Sequence, residues 1–318
     1  MILGLDIGGA NTKAASSDGS FAESTYLPLW KGAPIYEALR GLAALGPEAV
    51  AVVITGELAD CFQSKAEGLE RIRSLVLDAF RCPVRFWGIG GFGSSELAGA
   101  NWSASATLIA GEMGDCLFVD MGSTTTDLIP IKGVPLAAST DYQRLARGEL
   151  IYMGMMRTPL GSLLPEARLQ GAIVPISPEL FAIAADAYLA LGLISSDGYS
   201  CETPDGRGKD RQAALRRLAR CVCADLEEIG EGRAMAIARQ VHEREMRILV
   251  DAVEVQAERH FLSRVVAAGA GEPLIEEAAS FLGMECLRIS DRYGRRISEV
   301  FPAYAASRLL ELDLTNGT

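Results

Sequence analysis

Two short segments hold the side chains best suited to chemistry. Asp6-Ile-Gly-Gly-Ala-Asn-Thr-Lys13 carries a carboxylate, two glycines and a cation, and Asp120-Met-Gly-Ser-Thr-Thr-Thr-Asp127 repeats the plan with hydroxyls. Gly8 and Gly9 let backbone amides approach phosphate oxygens, because no Cβ intervenes. Asn11 and Thr12 add donors and Lys13 adds a point charge. In the second segment Gly122 turns the chain, and Ser123, Thr124, Thr125 and Thr126 supply hydroxyls and amides. Facing each other, the two turns can grip two phosphates, with Asp6 and Asp120 near one divalent ion. Magnesium suits such a place, since it takes carboxylate, water and phosphate oxygens. Each turn taken alone also reads as an ordinary hairpin.

A third signal is Val265 to Ile275, "VVAAGAGEPLI". A buried strand runs into Gly269 and Gly271, and a helix begins near Pro273. Such a helix start can hold an anion or a ring edge, and close strand–helix packing explains the glycines equally well. Among single residues, Glu57 in "TGEL" follows a strand and reaches toward a cleft, or Thr55 merely caps a helix. Arg157, before Thr-Pro, can pair a carboxylate or phosphate. Trp102 in "GANWSASA" reads as a packed indole among small residues. The "TPDGRGKDR" loop, Thr203 to Arg211, is either a solvated charge run or a lid over an anionic substrate.

These residues need strands that end together. "MILGLDIGG", "AVAVVITGEL" and "DCLFVDMGS" are buried-strand runs, two of them closed by glycine turns. Asp18-Gly19 marks a hairpin. "PIYEALRGLAAL", "SKAEGLERIRSLVLDAF" and "SELAGANWSASATLIAGEMG" have helical spacing, and "CPVRFWGI" is a further strand. The order strand, turn, hairpin, helices then restarts at residue 115. A long helical tract from Gln212 to His260 is expected to break around "IGEGR". The terminal helix in "ISEVFPAYAASRLLEL" is expected to cross back onto the first half. The expected fold is therefore α/β with two similar domains, residues 1–114 plus 298–318 and residues 115–297.

Composition narrows the partners. In 318 residues, 30 Lys and Arg against 41 Asp and Glu give a net charge of −11, which argues against nucleic acid as a partner. The seven cysteines are scattered, with no C-x-x-C pair, and read as reduced core thiols of a cytoplasmic protein. The two histidines, His242 and His260, sit in charge-rich helical surroundings and are expected to face solvent. No signal peptide is visible, and the tract from Leu180 contains Asp186 and is too short for a bilayer. Neither nucleic acid nor membrane is an expected partner, and a homodimer is left open.

The paired turns and the glycine turn, in this order, resemble the actin, sugar-kinase and Hsp70-type ATPase superfamily. That resemblance implies two ribonuclease-H-like domains with a central cleft. Asp6 to Lys13 and Asp120 to Asp127 resemble its phosphate loops, and Gly269 to Glu272 its adenosine-side turn. "GLDIGGANTKAA", "TGELADCFQSKAEG", "GANWSASA", "VDMGSTTTDLIPI", "RGELIYMGMMRTPL" and "TPDGRGKDR" more closely resemble a subgroup near hydantoinase A and oxoprolinase. This subgroup is associated with tetrahydromethanopterin-linked one-carbon metabolism. The resemblance implies a step in methanofuran or methylofuran assembly: an (aminomethyl)furanylmethyl diphosphate is coupled to the phenol of a γ-glutamyl-tyramine or a tyrosine unit, releasing diphosphate. The phenol proton then needs a base, and Asp120, Asp141 and Glu57 are the candidates, with Asp120 favoured. The alternatives are an ATP-dependent small-molecule kinase or oxoprolinase-like hydrolase, and a non-catalytic nucleotide-binding module.

Overall fold

A computed structural model describes residues 1–316; Gly317 and Thr318, the last two positions of the expected first domain, lie outside the described residues. The first half runs β1 (Ile2–Gly8), β2 (Asn11–Ser16), β3 (Ala22–Tyr26), α1 (Ile35–Ala43), β4 (Ala49–Thr55), α2 (Lys65–Ala79), β5 (Val84–Gly88), β6 (Gly91–Phe92) and α3 (Asn101–Met113). The second begins with β7 (Cys116–Met121), β8 (Thr126–Lys132), β9 (Val134–Pro135), α4 (Asp141–Arg147), β10 (Leu150–Ile151), α5 (Leu160–Leu163), β11 (Glu166–Leu169) and β12 (Ala172–Pro175). It continues with α6 (Ala184–Leu191), α7 (Arg211–Arg220), α8 (Leu226–His260), β13 (Arg264–Ala268), α9 (Glu272–Phe281) and β14 (Glu285–Arg288). The chain closes with α10 (Ile289–Tyr293), α11 (Arg295–Glu299) and α12 (Phe301–Asn316).

The strands form two mixed sheets of the same plan. One has the order β3-β2-β1-β4-β5-β6 and the other β10-β8-β7-β13-β14, with β9 paired to β8. In each, a buried first strand pairs antiparallel with the next strand and parallel with a later one: β1 with β2 and β4, β7 with β8 and β13. Strands buried on both faces must be apolar almost throughout, which is why "ILGLDIG", "AVAVVIT" and "CLFVDM" show hardly any alternation.

Helices cover both faces of each sheet. Leu3, Leu5, Ile7, Val50, Val52 and Ile54 pack with α1 and α2. The opposite-facing Ile2, Ala49, Ala51 and Val53 share one core with Phe118, Ile129 and Val266 of the second sheet, around α3 and α12. The two sheets are therefore joined through a common apolar layer. At Gly4, any Cβ would overlap the backbone of Ala303, so glycine is what allows α12 to lie on β1. The expected return of the C-terminal helix onto the first half is present.

Several expected boundaries shift. α3 starts at Asn101, six residues after Ser95, because Ser94 to Gly99 folds as a loop whose Gly99 N–H bonds the Ile54 carbonyl at 3.0 Å. The 212–260 tract breaks between α7 and α8, and the backbone of Gly230 (φ 74°) kinks α8 within "IGEGR". The tract from Leu180 is helical only over α6, which is buried. The hairpin β11–β12 was not foreseen, although Glu-Ala-Arg-Leu and Ala-Ile-Val-Pro flank a Gln170-Gly171 turn with both φ positive. Among the described residues, no helix is long and apolar enough to cross a membrane. All seven cysteines are free, and Cys61 and Cys223 are exposed rather than in a core.

Candidate active site

Both expected turns connect the first two strands of their sheets. In the first, the ladder pairs Asp6 with Lys13 and Ile7 with Thr12, leaving Gly8 to Asn11 as the turn. In the second, Asp120 pairs with Asp127 and Met121 with Thr126, and the Gly122 N–H closes on the Thr125 carbonyl at 2.9 Å. The turns meet. Asn11 Nδ2 donates to Ser123 Oγ at 3.3 Å, and Ser123 Oγ lies 3.4 Å from Thr124 Oγ1. Gly8, Gly9, Asn11 and Lys13 are half-buried, as are Gly122, Ser123, Thr124 and Thr125, so both turns remain within reach of a solute. The Thr12 hydroxyl is buried and has no partner among the described residues.

Arg157 ties the second turn to the first half. Its guanidinium donates to Thr124 Oγ1 at 3.4 Å and stacks over Trp30 at 4.7 Å. The segment before it straps the turn: the N–H groups of Met155, Met156 and Arg157 bond the carbonyls of Gly122 and Ser123 at 2.9–3.1 Å. Gly154 makes this possible, since a Cβ there would stand 2.5 Å from the Thr124 nitrogen. The methionines Met153, Met155 and Met156 are core residues.

Carboxylates crowd the strand ends. Asp6 Oδ1 accepts from Thr55 Oγ1 at 3.1 Å, and its other oxygen lies 4.0 Å from Lys13 Nζ. Burial raises the Asp6 pKa, with Lys13 and Thr55 opposing. Burial pushes Asp120 up to about 7; Lys13 opposes, while Asp127, Asp6 and Glu272 add to it. Asp127 is raised by burial and held back by Arg144, which forms a salt bridge with it. Arg144 is fully buried, also reaches Asp141 at 3.2 Å, and lies over the Trp102 ring at 4.8 Å. Trp102 is thus the packed indole that was expected, with a buried cation on its face. Glu57 is 2 % exposed and pushed up to about 7 by burial.

Magnesium was expected beside Asp6 and Asp120. Among the described residues, no group of three His, Cys, Asp or Glu side chains is arranged to hold an ion. Two carboxylates from opposed turns, with Asp6 adding to the proton affinity of Asp120, nevertheless suit an ion that completes its shell with water and phosphate oxygens.

The glycine turn at β13 packs tightly against β7. A Cβ on Gly269, whose φ is +87°, would lie 2.5 Å from Asp120 Oδ1, and one on Gly271 would collide with the Met121 side chain. The Gly269 N–H bonds Ser298 Oγ at 3.0 Å, so close strand–helix approach accounts for both glycines.

Other expectations change. Thr55 caps no helix: α2 begins ten residues later, capped by Ser64. The Thr203–Arg211 loop is tied down rather than free, with Asp205 paired to buried Arg217 at 3.1 Å and Lys209 donating to the Tyr199 carbonyl at 2.7 Å. His242 and His260 are half-buried, each with one ring nitrogen lacking a partner among the described residues, because α8 turns them toward neighbouring helices and loops. Arg144 and Gly154 were missed. Arg144 lies on a charged helix like any surface arginine in sequence, and only its placement three residues after Asp141 hints at a pair.

The hydantoinase/oxoprolinase family model matches residues 48–311. The chain belongs to the hydantoinase/oxoprolinase family. It is 38 % identical, over 99 % of its length and 98 % of the relative's, to the (4-{4-[2-(γ-L-glutamylamino)ethyl]phenoxymethyl}furan-2-yl)methanamine synthase of Methanocaldococcus jannaschii. It is 36 % identical to the synthase of the same name from Methanococcus vannielii, over 63 % of this chain and 92 % of that one. The fold of this hydantoinase/oxoprolinase member is shared with a ROK family glucokinase from Streptomyces griseus, at a TM-score of 0.52 and 15 % identity over 97 % of this chain and 98 % of that one. The expected two-domain sugar-kinase-like α/β fold is therefore found.

Proposed function

We propose that this chain joins a furanylmethyl diphosphate to the phenol oxygen of a γ-glutamyl-tyramine or tyrosine unit and releases diphosphate. The near-full-length identity to a synthase whose name describes a phenoxymethylfuran carries this reading. The product is an aryl ether, built for methanofuran- or methylofuran-dependent one-carbon metabolism in the cytoplasm.

The chemistry follows from the bonds. The furanylmethyl carbon–oxygen bond to diphosphate breaks, and its electron pair leaves with the diphosphate. The phenol oxygen forms the new bond to the same carbon and gives up its proton. Ring oxygen donation stabilises positive charge at that carbon, so positioning contributes more than nucleophile strength. Lys13 and the amides of Gly8 and Gly9, with Asn11 and Thr12, hold one phosphate, and Gly122, Ser123, Thr124 and Thr125 hold the other. These donors face the oxygen on which charge develops. Arg157 guards the rim of the second turn. Asp6 and Asp120 would hold magnesium, which when bound neutralises charge on the departing diphosphate. The glycine turn at Gly269 and Gly271 positions Asp120.

The test uses purified protein with magnesium and either the furan diphosphate plus a γ-glutamyl-tyramine or ATP alone. Ether and diphosphate formed one for one support the reading. ADP with no ether refutes it and points to a kinase.

A further inference from the structure

We propose that Glu57 is the catalytic residue that accepts the phenol proton in this coupling, an inference that rests on the reaction just proposed. The argument is one of placement and of which carboxylates are already committed. β4 lies parallel beside β1 with Thr55 opposite Gly8, so Glu57 stands two residues beyond the strand that flanks the first turn. The chain there is pressed against that turn: a Cβ on Gly56 would lie 3.0 Å from the Gly8 carbonyl. From behind, α2 fixes the segment, since a Cβ on Gly68 would lie 2.5 Å from the Glu57 carbonyl oxygen and 2.8 Å from its Cα. Glu57 is therefore held beside the group that grips the leaving diphosphate.

Three of the other carboxylates around the strand ends already have partners. Asp127 and Asp141 both pair with Arg144. Asp6 accepts from Thr55 and faces Lys13, whereas Asp120, on which no side-chain hydrogen bond acts among the described residues, is one of the two residues that would hold magnesium in that reaction. Glu57 differs: among the described residues its Oε2 is buried with no hydrogen-bond partner, and no cation lies within ion-pair distance. Leaving a buried carboxylate oxygen unpaired is costly, and a phenol O–H supplies the missing donor. The groups that act on it are its own backbone N–H and Lys65 of α2, which favour its charge, and Asp141 of α4 and Asp6 of β1, which oppose it. Burial dominates and brings it near neutrality, the range in which a carboxylate takes a proton and releases it again. The proton moves from the phenol oxygen to Glu57 Oε2 as the oxygen–carbon bond forms, and returns to solvent after the ether leaves.

The experiment measures ether formation by the native chain, Glu57→Gln and Glu57→Asp. Acceptors are γ-glutamyl-tyramine and ring-fluorinated analogues of lower phenol pKa, with thermal melts confirming the fold. Glu57→Gln should lower kcat by roughly 10²-fold or more with little change in KM for the diphosphate. The loss should shrink stepwise as the phenol becomes more acidic, and Glu57→Asp should recover part of the rate. An active native chain whose Glu57→Gln variant loses the same factor with every phenol, or loses only KM for the amine-bearing diphosphate, overturns the assignment and makes Glu57 a structural or ammonium-binding group. A native chain that forms no ether overturns the coupling reaction and the assignment together.

Discussion

The two turns are built on one plan and charged in opposite ways. In each sheet the carboxylate at the end of the first strand faces, across the ladder, the residue seven positions on. In the first sheet that residue is Lys13, and in the second it is Asp127. Lys13 is half-buried beside Asp6, whereas Asp127 is paired with Arg144, which is stacked on Trp102 of the first half. The same backbone position thus carries a half-buried cation beside Asp6 on one side and a carboxylate clasped between halves by Arg144 on the other. In the proposed reaction, this duplicated architecture divides between grip and alignment.

Exchanging those duties should break the comparison most visibly. Lys13→Ala is expected to lower kcat/KM for the furan diphosphate by roughly 10²–10³-fold, the scale of losing one charge-stabilising donor, with an unchanged circular dichroism spectrum. Unaltered kinetics would remove the first turn from diphosphate binding. Arg144→Met should act on stability instead, by about 3–5 kcal/mol, because Asp127 is left buried and unpaired. Denaturant titration measures this, and Asp127→Asn combined with Arg144→Met should recover much of it. Failure of the double variant to recover would mean that Arg144 matters for its stacking alone.

Asp120 sharpens the contrast through pH. Its folded pKa, about 7, lies above the usual unfolded value of about 4, so the folded chain keeps a proton that the unfolded chain releases. The resulting penalty is absent below about pH 4, grows as pH rises, and is complete above about 7. Asp120→Asn should therefore raise the melting temperature at pH 8 more than at pH 5 in magnesium-free buffer, while lowering coupling activity. An equal shift at both values would remove the burial effect. The smallest effect belongs to the link between turns. Asn11→Ala removes the bond to Ser123 and should cost about 1 kcal/mol, seen as a modest rise in KM with kcat nearly kept.

The strand ends, both turns and the return of the last helix were legible because buried strands, Asp-Gly signals and helical spacing are local patterns. The glycine turn was legible as a motif, and only packing shows that Gly269 and Gly271 are needed for approach to Asp120 and Met121. Arg144, Gly154 and the open oxygen of Glu57 were not legible as such. Their meaning depends on what lies across the fold: Asp127 for the arginine, the Thr124 backbone for the glycine, and absent partners for the glutamate. Thr55 shows the same limit, since a cap and a hydroxyl that orients Asp6 look alike until the strands are side by side.

The seat of α12 on β1 has a consequence for biogenesis. The N-terminal strands leave the ribosome roughly 250 residues before the helix that shields one of their greasy faces, a delay of about 12–50 s at ordinary synthesis rates. Nascent chains halted before Phe301 should therefore cling to holdase chaperones and yield to protease, and should lose both traits once the last helix is clear of the exit tunnel.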